Sequence, residues 1–572
     1  MHDAFENRWL SFEQPVEIIQ AVTVADVLPA LQRLESRIRD ANLYAAGFIG
    51  YEAAPAFSGA FQSYPPGEFP LLWFGLYRSP IVVPPPEPEP TLQNPFGEWI
   101  PSQAFDDYAH SIGQIKDWIA AGHTYQVNYT LRMHAPFAGD PWNIFAQLCQ
   151  KQPVKYAAFL DIGRYCICSA SPELFFQLNG NQLTCKPMKG TAPRGVTQAE
   201  DEVQSAWLRS SEKNRAENVM ILDMLRNDLG RIAEYGSVMT RQLFEAERYA
   251  TLWQMTSTVQ AVSQASLVEI FQALFPCASI TGAPKVRTMQ IIRALEPTPR
   301  QVYTGCIGFI TPQRKAQFNV AIRTVLLDRS TGTAEYGVGG GIIWDSTSED
   351  EYEECQVKCR LLTQPHKPFD LLESLLWTPE NGLWLLADHL KRLASSAAYF
   401  DFRCDRLSVE EQLLKACVGL PAEAHKIRLL LNRDGLVSLH CSPLSAVPVA
   451  DTAKLMLAQK TIEPENVFLY HKTTRREVYD AARKACPPDT EPLLWNRRGE
   501  FTESDTANLV VRLNGDFFTP PLSSGLLPGT FRAHLLATGQ IRERILLKSE
   551  LPAFQEMYLI NSVRGWRPAV VI

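Results

Sequence analysis

Long apolar runs are missing from this sequence. No stretch approaches the ~18 consecutive apolar residues of a membrane-spanning helix, so we expect no membrane association. Blocks of lysine and arginine are also missing. The 55 basic and 62 acidic residues give a net charge of -7, which argues against nucleic acid as a partner. Residues 1–6 contain no basic region followed by an apolar run, so we expect no signal peptide and a cytoplasmic protein.

Paired cysteine motifs are missing as well. The 12 cysteines are scattered, and no pair of Cys-x-x-Cys units indicates a zinc site. We therefore predict reduced, mostly buried thiols. The composition is that of a globular protein, with 46% hydrophobic and 20% charged residues.

At 572 residues the chain is too long for a single core. The proline-rich stretch 82–90 predicts a stiff connector, and a new pattern of strands starts after residues 363–368. We therefore predict an N-terminal segment over residues 1–90, a mixed α and β domain over 91–363 and a further domain over 369–572.

Local patterns predict the elements that carry the motifs. Asn179-Gly180 predicts a tight hairpin between strands at 174–178 and 182–186. Apolar periodicity predicts the other relevant elements, which are strands at 303–310, 318–328, 371–377 and 467–470, and helices at 217–229, 348–362 and 388–399.

The first candidate site combines carboxylates with a glycine turn. Glu351, Glu354 and Lys358 share one face of the predicted helix. The Gly-Val-Gly-Gly-Gly stretch at 337–341 lets backbone N–H groups approach an anion closely. Facing carboxylates suit Mg²⁺. The same spacing is common on a solvated helix, and this alternative stays open from the spacing alone.

Two lysines are candidates for covalent chemistry. A lysine is a nucleophile at neutral pH only if burial or a nearby cation lowers its pKa. Lys189 lies in the segment Pro-Met-Lys-Gly-Thr, and Lys472 lies in His-Lys-Thr-Thr-Arg. The surroundings of the two lysines differ, and together they suggest two enzymes on one chain.

The region 105–362 resembles the chorismate-utilising enzymes through six ordered motifs. They are Ser171-Pro172-Glu173, Pro187-Met188-Lys189-Gly190-Thr191, the helix from Glu217 to Asp228, Ser279-Ile280-Thr281-Gly282-Ala283-Pro284-Lys285, Ala321-Ile322-Arg323-Thr324 and Glu351-x-x-Glu354-x-x-x-Lys358. The resemblance implies a large α/β sandwich that binds chorismate together with Mg²⁺.

The same resemblance implies a role for each residue. Lys189 would attack chorismate, and Glu173 would be the general acid that protonates the departing hydroxyl. Glu217 and Glu354 would bind the metal with support from Glu351. The remaining substrate-binding candidates are Gln126, Ser279, Tyr303, Arg323, Gly339, Gly340, Gly341 and Lys358. Asn214 departs from the family, which usually has an acidic residue three positions before Glu217.

Two positions separate the branches of this family. Isochorismate and salicylate synthases resemble this chain but have a water-activating lysine where Gln126 stands, so ammonia is the implied nucleophile here. Anthranilate synthases usually carry alanine where Lys189 stands, and the Lys-Gly-Thr form resembles the branch that aminates C4 of chorismate. The chain has no Gly-x-Cys-x-Gly turn of a glutaminase. A separate glutamine amidotransferase subunit is therefore implied as the ammonia donor.

The region 369–572 resembles the fold-type IV pyridoxal phosphate enzymes. A lysine, a carboxylate after a turn and an anion site at a helix N-terminus are what pyridoxal 5′-phosphate needs. The resemblance implies that Lys472 binds the cofactor covalently and shuttles protons, and that Glu503 pairs with the ring nitrogen. The phosphate-binding candidates are Arg392, Gly529 and Thr530, and Ser374 is a substrate-binding candidate.

The first strand of the fold-type IV enzymes is short or absent here, so the preceding domain could supply missing packing. These enzymes are usually dimers, which predicts a homodimer through this half. Together the two halves imply that chorismate is aminated to 4-amino-4-deoxychorismate, which then loses pyruvate to give 4-aminobenzoate, a folate precursor. Two alternatives stay open: an anthranilate synthase component fused to an aminotransferase, and a second half that serves only stability or assembly.

Overall fold

The computed structural model of the chain describes residues 1–89, 94–363, 367–444 and 452–572. The last residue of the predicted connector, the start of the predicted domain at 91 and residues 364–366 of the predicted boundary lie outside them. Contacts divide the chain into two units, Met1–Pro193 with Ser205–His366, and Arg194–Gln204 with Lys367–Ile572. Nowhere in the described ranges does a helix have the length and apolar character to cross a membrane.

The first unit is built around two large β-sheets. Its strands, in chain order, are β1 His2–Asp3, β2 Arg8–Ser11, β3 Glu17–Ala21, β4 Tyr44–Ile49, β5 Leu72–Tyr77, β6 Ile81–Val83, β7 Ile100–Pro101, β8 Gln126–Pro136, β9 Tyr156–Asp161, β10 Tyr165–Ser171, β11 Leu174–Asn179, β12 Gln182–Lys186, β13 Met188–Pro193, β14 Met239–Arg248, β15 Leu252–Val262, β16 Gly282–Ala283, β17 Cys306–Thr311, β18 Lys315–Val320, β19 Thr324–Asp328 and β20 Thr333–Ile342.

The larger sheet has the order β13-β15-β12-β11-β18-β17-β4-β5-β3, and β14 also pairs with β15. The smaller one has the order β16-β8-β20-β19-β10-β9, and β7 also pairs with β8. Strands β1, β2 and β6 form a separate small sheet. Because β4 pairs with β17, the N-terminal segment forms one side of the larger sheet.

Helices cover both large sheets. They are α1 Val24–Ala41, α2 Phe105–Ala120, α3 Pro141–Lys151, α4 Gln198–Ser210, α5 Glu212–Gly230, α6 Leu267–Leu274, α7 Lys285–Leu295 and α8 Ser348–Thr363, with 3₁₀ turns at Tyr51–Ala56 and Ala278–Ile280. Leu34 of α1 and Phe271 of α6 share a core with the larger sheet, whereas Tyr108 of α2 packs on the smaller sheet. A third core joins Phe48 of the larger sheet to Ile167 of the smaller. The layers are therefore helix, sheet, sheet and helix.

The predicted hairpin at Asn179-Gly180 is confirmed, since Asn179 pairs with Gln182 in β11 and β12. The prediction of one strand over 318–328 is wrong. β18 ends at Val320 in the larger sheet, and β19 starts at Thr324 in the smaller one. Arg323 takes a left-handed φ of 51° where the chain changes sheet, and the apolar pattern contains no sign of this break.

The second unit contains two further sheets. Its strands are β21 Leu371–Thr378, β22 Gly382–Leu383, β23 His425–Leu431, β24 Val437–Pro443, β25 Ala453–Leu457, β26 Thr490–Trp495, β27 Phe501–Ser504, β28 Asn508–Leu513, β29 Asp516–Thr519, β30 Arg542–Glu543, β31 Glu556–Asn561 and β32 Gly565–Val571. Its helices are α9 Leu386–Phe400, α10 Arg406–Cys417, α11 Glu477–Lys484 and α12 Thr530–Ala537, with 3₁₀ turns at Val467–Leu469, Leu522–Ser524 and Lys548–Ala553.

The sheets of this unit have the orders β22-β21-β23-β24 and β27-β26-β25-β32-β31-β28-β29-β30. The predicted strand at 467–470 is wrong, because Val467–Leu469 is a 3₁₀ turn in which the Asn466 side chain accepts a hydrogen bond from the Phe468 N–H. An apolar run of this length fits a buried turn as well as a strand.

A buried charge network stabilises the first unit at the end of α7. The Glu296 carboxylate lies 2.7 Å from a guanidinium nitrogen of Arg132 and 2.6 Å from one of Arg300. All three side chains are at most 1% exposed. Arg300 also donates to the carbonyl oxygens of Ile280 and Asn128. The network therefore links α7 to β8 and to the 3₁₀ turn at Ala278–Ile280.

We expect Glu296→Ala to destabilise the protein by about 3–5 kcal/mol, because two buried guanidinium groups would lose their shared carboxylate. Chemical denaturation followed by tryptophan fluorescence measures this loss. Asp40→Ala, which removes an exposed carboxylate, is the control and should leave the midpoint unchanged. Equal midpoints for Glu296→Ala and the control would contradict this account of the network.

Two candidate active sites

Lys189 lies on β13 and is half-buried. Burial lowers its pKa, the carboxylates of Glu173 and Glu217 act to raise it, and the Lys358 charge lowers it further. The net direction is downward, which increases the fraction of neutral amine at neutral pH. Lys189, the predicted nucleophile, therefore lies near the predicted carboxylates.

Gln126 and Lys189 meet at the glycine strand β20. A Cβ atom on Gly341 would lie 1.8 Å from Nε2 of Gln126 and 3.0 Å from Nζ of Lys189. Glycine at this position therefore leaves the space that both side chains use. Oε1 of Gln126 is buried and has no hydrogen-bond partner within the described parts of the chain, and an acceptor left this way favours a bound donor.

Glu173 follows β10 and is buried at 3% exposure. Burial raises its pKa to about 7, against the opposing effects of the Ser279 hydrogen bond and the Lys189 charge. The Ser279 hydroxyl donates to Oε1 of Glu173 at 2.7 Å. A carboxyl with this pKa is partly protonated at neutral pH, as a general acid requires.

The three predicted metal ligands lie close enough for their charges to interact. Burial raises the pKa of Glu217 and of Glu351, and the charge of Glu354 raises both further. A Cβ atom on Gly340 would lie 2.9 Å from Oε2 of Glu351 and 4.0 Å from Oε1 of Glu354. These oxygen donors suit Mg²⁺, and a cation would relieve their mutual repulsion.

Glu354 is nevertheless paired within the protein. Its Oε1 lies 2.6 Å from Nζ of Lys358. Partial burial acts to raise the pKa of Glu354, but Lys358 outweighs it and the net direction is downward. In the described ranges no three His, Cys, Asp or Glu side chains are arranged as a metal site. The metal ligand set remains a prediction.

The residues predicted to bind the substrate carboxylates make contacts with other groups of the protein. Lys358 donates to the Gly339 carbonyl oxygen at 2.7 Å, and Arg323 donates to Oε1 of Gln152 at 2.7 Å. Tyr303 is buried with its ring against Gly337 of β20. A dianionic substrate would therefore compete with these contacts for Lys358 and Arg323.

The predicted residues of the second unit line one cavity of about 420 Å³. Its walls include all of them, namely Ser374, Arg392, Lys472, Glu503, Gly529 and Thr530. Burial lowers the pKa of Lys472 to about 8, with a further contribution from the Arg392 charge. The amine is therefore reactive near neutral pH.

Glu503 is buried opposite the lysine charge. Burial raises its pKa to about 7, although it accepts hydrogen bonds from the Tyr479 hydroxyl at 2.7 Å and the Leu527 N–H at 3.0 Å. The Asn508 side chain donates to its other oxygen at 3.0 Å. These contacts fix the carboxyl in one orientation, as a partner for a cofactor ring nitrogen requires.

The predicted phosphate-binding residues surround the start of α12. A Cβ atom on Gly529 would lie 2.0 Å from Oδ1 of Asn508, so this position needs glycine. The Thr530 hydroxyl lies 3.2 Å from Nε2 of His389. Arg392 donates two hydrogen bonds to Glu373, at 2.6 and 2.8 Å. A phosphate would meet backbone N–H groups of a helix N-terminus beside a guanidinium.

The sequence analysis did not predict several residues that line this cavity or contact its lining residues. Glu373 and His389, 2.7 Å apart, hold Arg392 and Thr530. Further basic side chains also line the cavity, among them Lys426, Arg428, Arg476 and Arg564. Burial lowers the pKa of Lys426, and the three arginines lower it further. Lys426 and Arg428 are two residues apart on β23 and therefore share one face of the sheet. This alternation in the sequence could have predicted a basic surface on that face.

Comparison with known proteins identifies both halves. The family model of the chorismate binding enzymes matches residues 6–364, and that of the class IV aminotransferases matches residues 370–572. The chain therefore belongs to the chorismate binding enzyme family. The predicted fold class, a chorismate-binding α/β sandwich followed by an aminotransferase-like domain, is confirmed.

Two curated proteins and one solved structure illustrate what the first half of the chain is similar to. Aminodeoxychorismate synthase of Streptomyces griseus is 43% identical over 278 residues, which are 48% of this chain and 38% of the relative. Aminodeoxychorismate synthase component 1 of Escherichia coli K12 is 38% identical over 273 residues, 47% of this chain and 60% of the relative. The solved anthranilate synthase component I from Streptococcus pneumoniae is 25% identical, covers 62% of this chain and 92% of its own, and has a TM-score of 0.56. The chain thus matches less than two thirds of the length of either curated relative.

The raised pKa of Glu503 makes a prediction about stability. This carboxyl binds its proton below about pH 7 in the folded chain and below about 4.5 when unfolded. The folded chain therefore holds the extra proton between these values, and the free energy of unfolding falls as pH rises through this window. Glu503→Gln has no carboxyl to titrate and does not lose stability in this way. Its free energy of unfolding, taken relative to that of the parent, should therefore rise by about 2 kcal/mol from about pH 5 to about pH 8.

Denaturant titrations without added ligand at the two pH values measure this gain. Glu465→Gln, which removes an exposed carboxylate, is the control. The difference in free energy of unfolding between this variant and the parent should not change with pH. If the parent and Glu503→Gln follow the same pH profile, Glu503 titrates in the folded chain as it does in the unfolded one.

Proposed function

We propose that this chain makes 4-aminobenzoate from chorismate and ammonia, in one reaction at each candidate site. The observation that carries the proposal is a half-buried lysine at each site. Each lysine has a lowered pKa and interacts with a buried carboxyl whose pKa is raised to about 7. Membership of the chorismate binding family and the names of the relatives support the first reaction. The class IV aminotransferase match supports the second.

In the first reaction, the neutral amine of Lys189 attacks C2 of chorismate. A carbon–nitrogen bond forms at C2, both ring double bonds shift by one position, and the C4 hydroxyl leaves as water with the proton that Glu173 supplies. Ammonia then adds at C4 and displaces the lysine, which gives 4-amino-4-deoxychorismate. The unpaired buried Oε1 of Gln126 is an acceptor for the ammonia beside this lysine, and an amide oxygen cannot deprotonate water as a lysine can.

Glu217, Glu351 and Glu354 would hold the Mg²⁺, which supplies positive charge for the substrate carboxylates. Binding requires Lys358 to leave Glu354 or to share it. Arg323, Lys358 and the backbone of Gly339 to Gly341 then hold the other anionic groups, since arginine pairs with a carboxylate through two hydrogen bonds.

In the second reaction, the residues of the second cavity would hold pyridoxal phosphate, which supplies an electron sink when bound. Lys472 would bind the cofactor aldehyde and move protons at its Nζ. Glu503 would pair with the ring nitrogen, and Arg392 with the Gly529-Thr530 backbone would bind the phosphate. Arg428 and the other basic side chains of the cavity suit a substrate with two carboxylates. The products are 4-aminobenzoate and pyruvate.

The proposed partners are a glutamine amidotransferase subunit that supplies ammonia and a second copy of this chain. The component 1 name of the relatives supports the first partner. The class IV match favours a homodimer through residues 369–572, and a light-scattering mass of one chain at working concentration would contradict the dimer.

Single substitutions separate the two reactions. Lys189→Ala should abolish consumption of chorismate while it retains the visible absorbance of bound pyridoxal phosphate. Lys472→Ala should lose that absorbance and accumulate 4-amino-4-deoxychorismate, because the first site is intact. Mass spectrometry of products from chorismate, Mg²⁺ and ammonium, with and without pyridoxal phosphate, measures both effects.

Lys155→Ala and Lys460→Ala, at exposed lysines, are matched controls and should behave as the parent. Fluorescent anthranilate in place of 4-aminobenzoate would favour an anthranilate synthase joined to an aminotransferase. Production of 4-aminobenzoate by Lys472→Ala without an added lyase would favour a second half with only a structural role.

The carboxylates of α8 generate a separate prediction. Glu354→Gln should weaken the apparent affinity for Mg²⁺ in the first reaction by about tenfold or more, because a neutral amide replaces a charged oxygen donor. Glu353→Gln is the matched control, since this exposed neighbour lies on the same helix. A Mg²⁺ titration with the same midpoint in both variants would remove Glu354 from the metal ligands.

A further inference from the structure

The second unit contains a short segment from a distant part of the sequence. Arg194–Gln204 clusters with Lys367–Ile572 and not with the residues that flank it. The segment follows directly after Pro193, the last residue of β13. Residues 194–204 thus belong to the second unit, although they lie within residues 6–364, which the chorismate binding family model matches.

The segment is closed on itself by a buried ion pair. Nε of Arg194 lies 2.7 Å from Oδ1 of Asp201, and these side chains are 6% and 1% exposed. The Gly195 N–H donates to the same oxygen at 3.0 Å. A Cβ atom on Gly195 would lie 2.2 Å from the Asp201 nitrogen. A buried pair keeps its geometry because separation would leave charges unpaired.

This turn holds Tyr399 of α9 at three points. The Tyr399 hydroxyl donates to the Gly195 carbonyl oxygen at 2.7 Å. Arg194 donates to the Tyr399 carbonyl oxygen at 3.0 Å, and its guanidinium carbon lies 4.3 Å from the centre of the Tyr399 ring. The contact with the ring is a cation–π interaction. Tyr399 therefore has little freedom to rotate.

Tyr399 in turn packs against His471. Their ring centres are 4.4 Å apart, and the Phe400 ring lies 4.8 Å away on edge. Burial lowers the pKa of His471 to about 4, with the Val196 backbone opposing this shift. The imidazole is therefore neutral at neutral pH, and Ser396 Oγ lies 3.0 Å from its Nδ1.

His471 is the residue before Lys472. The Lys472 carbonyl oxygen accepts from the Leu372 N–H at 2.9 Å, and the Thr474 N–H donates to Asp370 at 2.9 Å. The backbone at the lysine is thus held by the start of β21 and, one residue earlier, by the packed His471 ring. The charged groups that act on the lysine are Arg392, Glu373, Arg476 and Glu503, and none belongs to the inserted segment.

We propose that residues 194–201 are a positioning element of the pyridoxal phosphate site, acting on Lys472 through Tyr399 and His471. The inference rests on the proposed cofactor binding at Lys472. It assigns no bond-making role to the segment. The lysine side chain must stay within a fraction of an ångström of its working geometry, which requires rigid supporting groups.

The test uses the full chain and two kinds of variant. Tyr399→Phe removes the hydroxyl that reaches Gly195 but keeps the ring, and the double variant Arg194→Gln with Asp201→Asn removes both buried charges together. Absorbance titration of the cofactor-free protein with pyridoxal phosphate gives the dissociation constant. The pH midpoint of the bound cofactor band reports the environment of the lysine nitrogen.

We expect about fivefold weaker cofactor binding in Tyr399→Phe, as for loss of one buried hydrogen bond, and a larger loss in the double variant, each with a displaced pH midpoint. Tyr558→Phe, which removes a hydroxyl bonded to Glu556 in the same unit, should match the parent. The rate of the first reaction should stay within about twofold in Tyr399→Phe, as expected if that site is intact.

Two results would overturn the inference. An unchanged dissociation constant and pH midpoint in both variants, even with a lower melting temperature, would leave the segment with only a general structural role. A parent protein that binds no pyridoxal phosphate would refute the proposed second reaction and this inference with it. The parent titration distinguishes these two failures.

Discussion

The carboxylate of Glu296, held between two buried guanidinium groups, is the constraint on which the first site depends. Charges at 1% exposure or less are tolerated only when every partner is in place. Arg300 reaches the carbonyl oxygens of Ile280 and Asn128. These residues adjoin Ser279 and the strand of Gln126. The network thus holds the backbone beside groups that meet Glu173 and Lys189, the predicted general acid and nucleophile, although it touches neither.

Removal from water adjusts the reactive groups at both sites. It lowers the pKa of Lys189 and Lys472 and raises that of Glu173 and Glu503. An amine and a carboxyl that are ionised in water are therefore brought towards neutrality together. The two sites lie in units with different sheets in the described parts of the chain. In each, burial is the largest cause that lowers the pKa of a lysine and raises that of a carboxyl.

The sequence predicts what local spacing determines. The hairpin at Asn179-Gly180 and the shared face of Glu351, Glu354 and Lys358 depend on neighbours a few residues apart. Contacts across the chain were missed, because no pattern links Arg132 to Glu296 over 164 positions or joins Glu373 to Arg392. The strand break at Arg323 also escaped, since both halves of the predicted strand are apolar and only a change of sheet distinguishes them.

The inserted residues 194–204 make the second unit discontinuous in sequence. A gene split near codon 366 would therefore not yield two self-sufficient polypeptides. The downstream product would lack the residues that hold Tyr399. The upstream product would contain residues 194–204 without the unit in which they pack. The interior of the second unit therefore includes residues from the part of the sequence that the first family match covers.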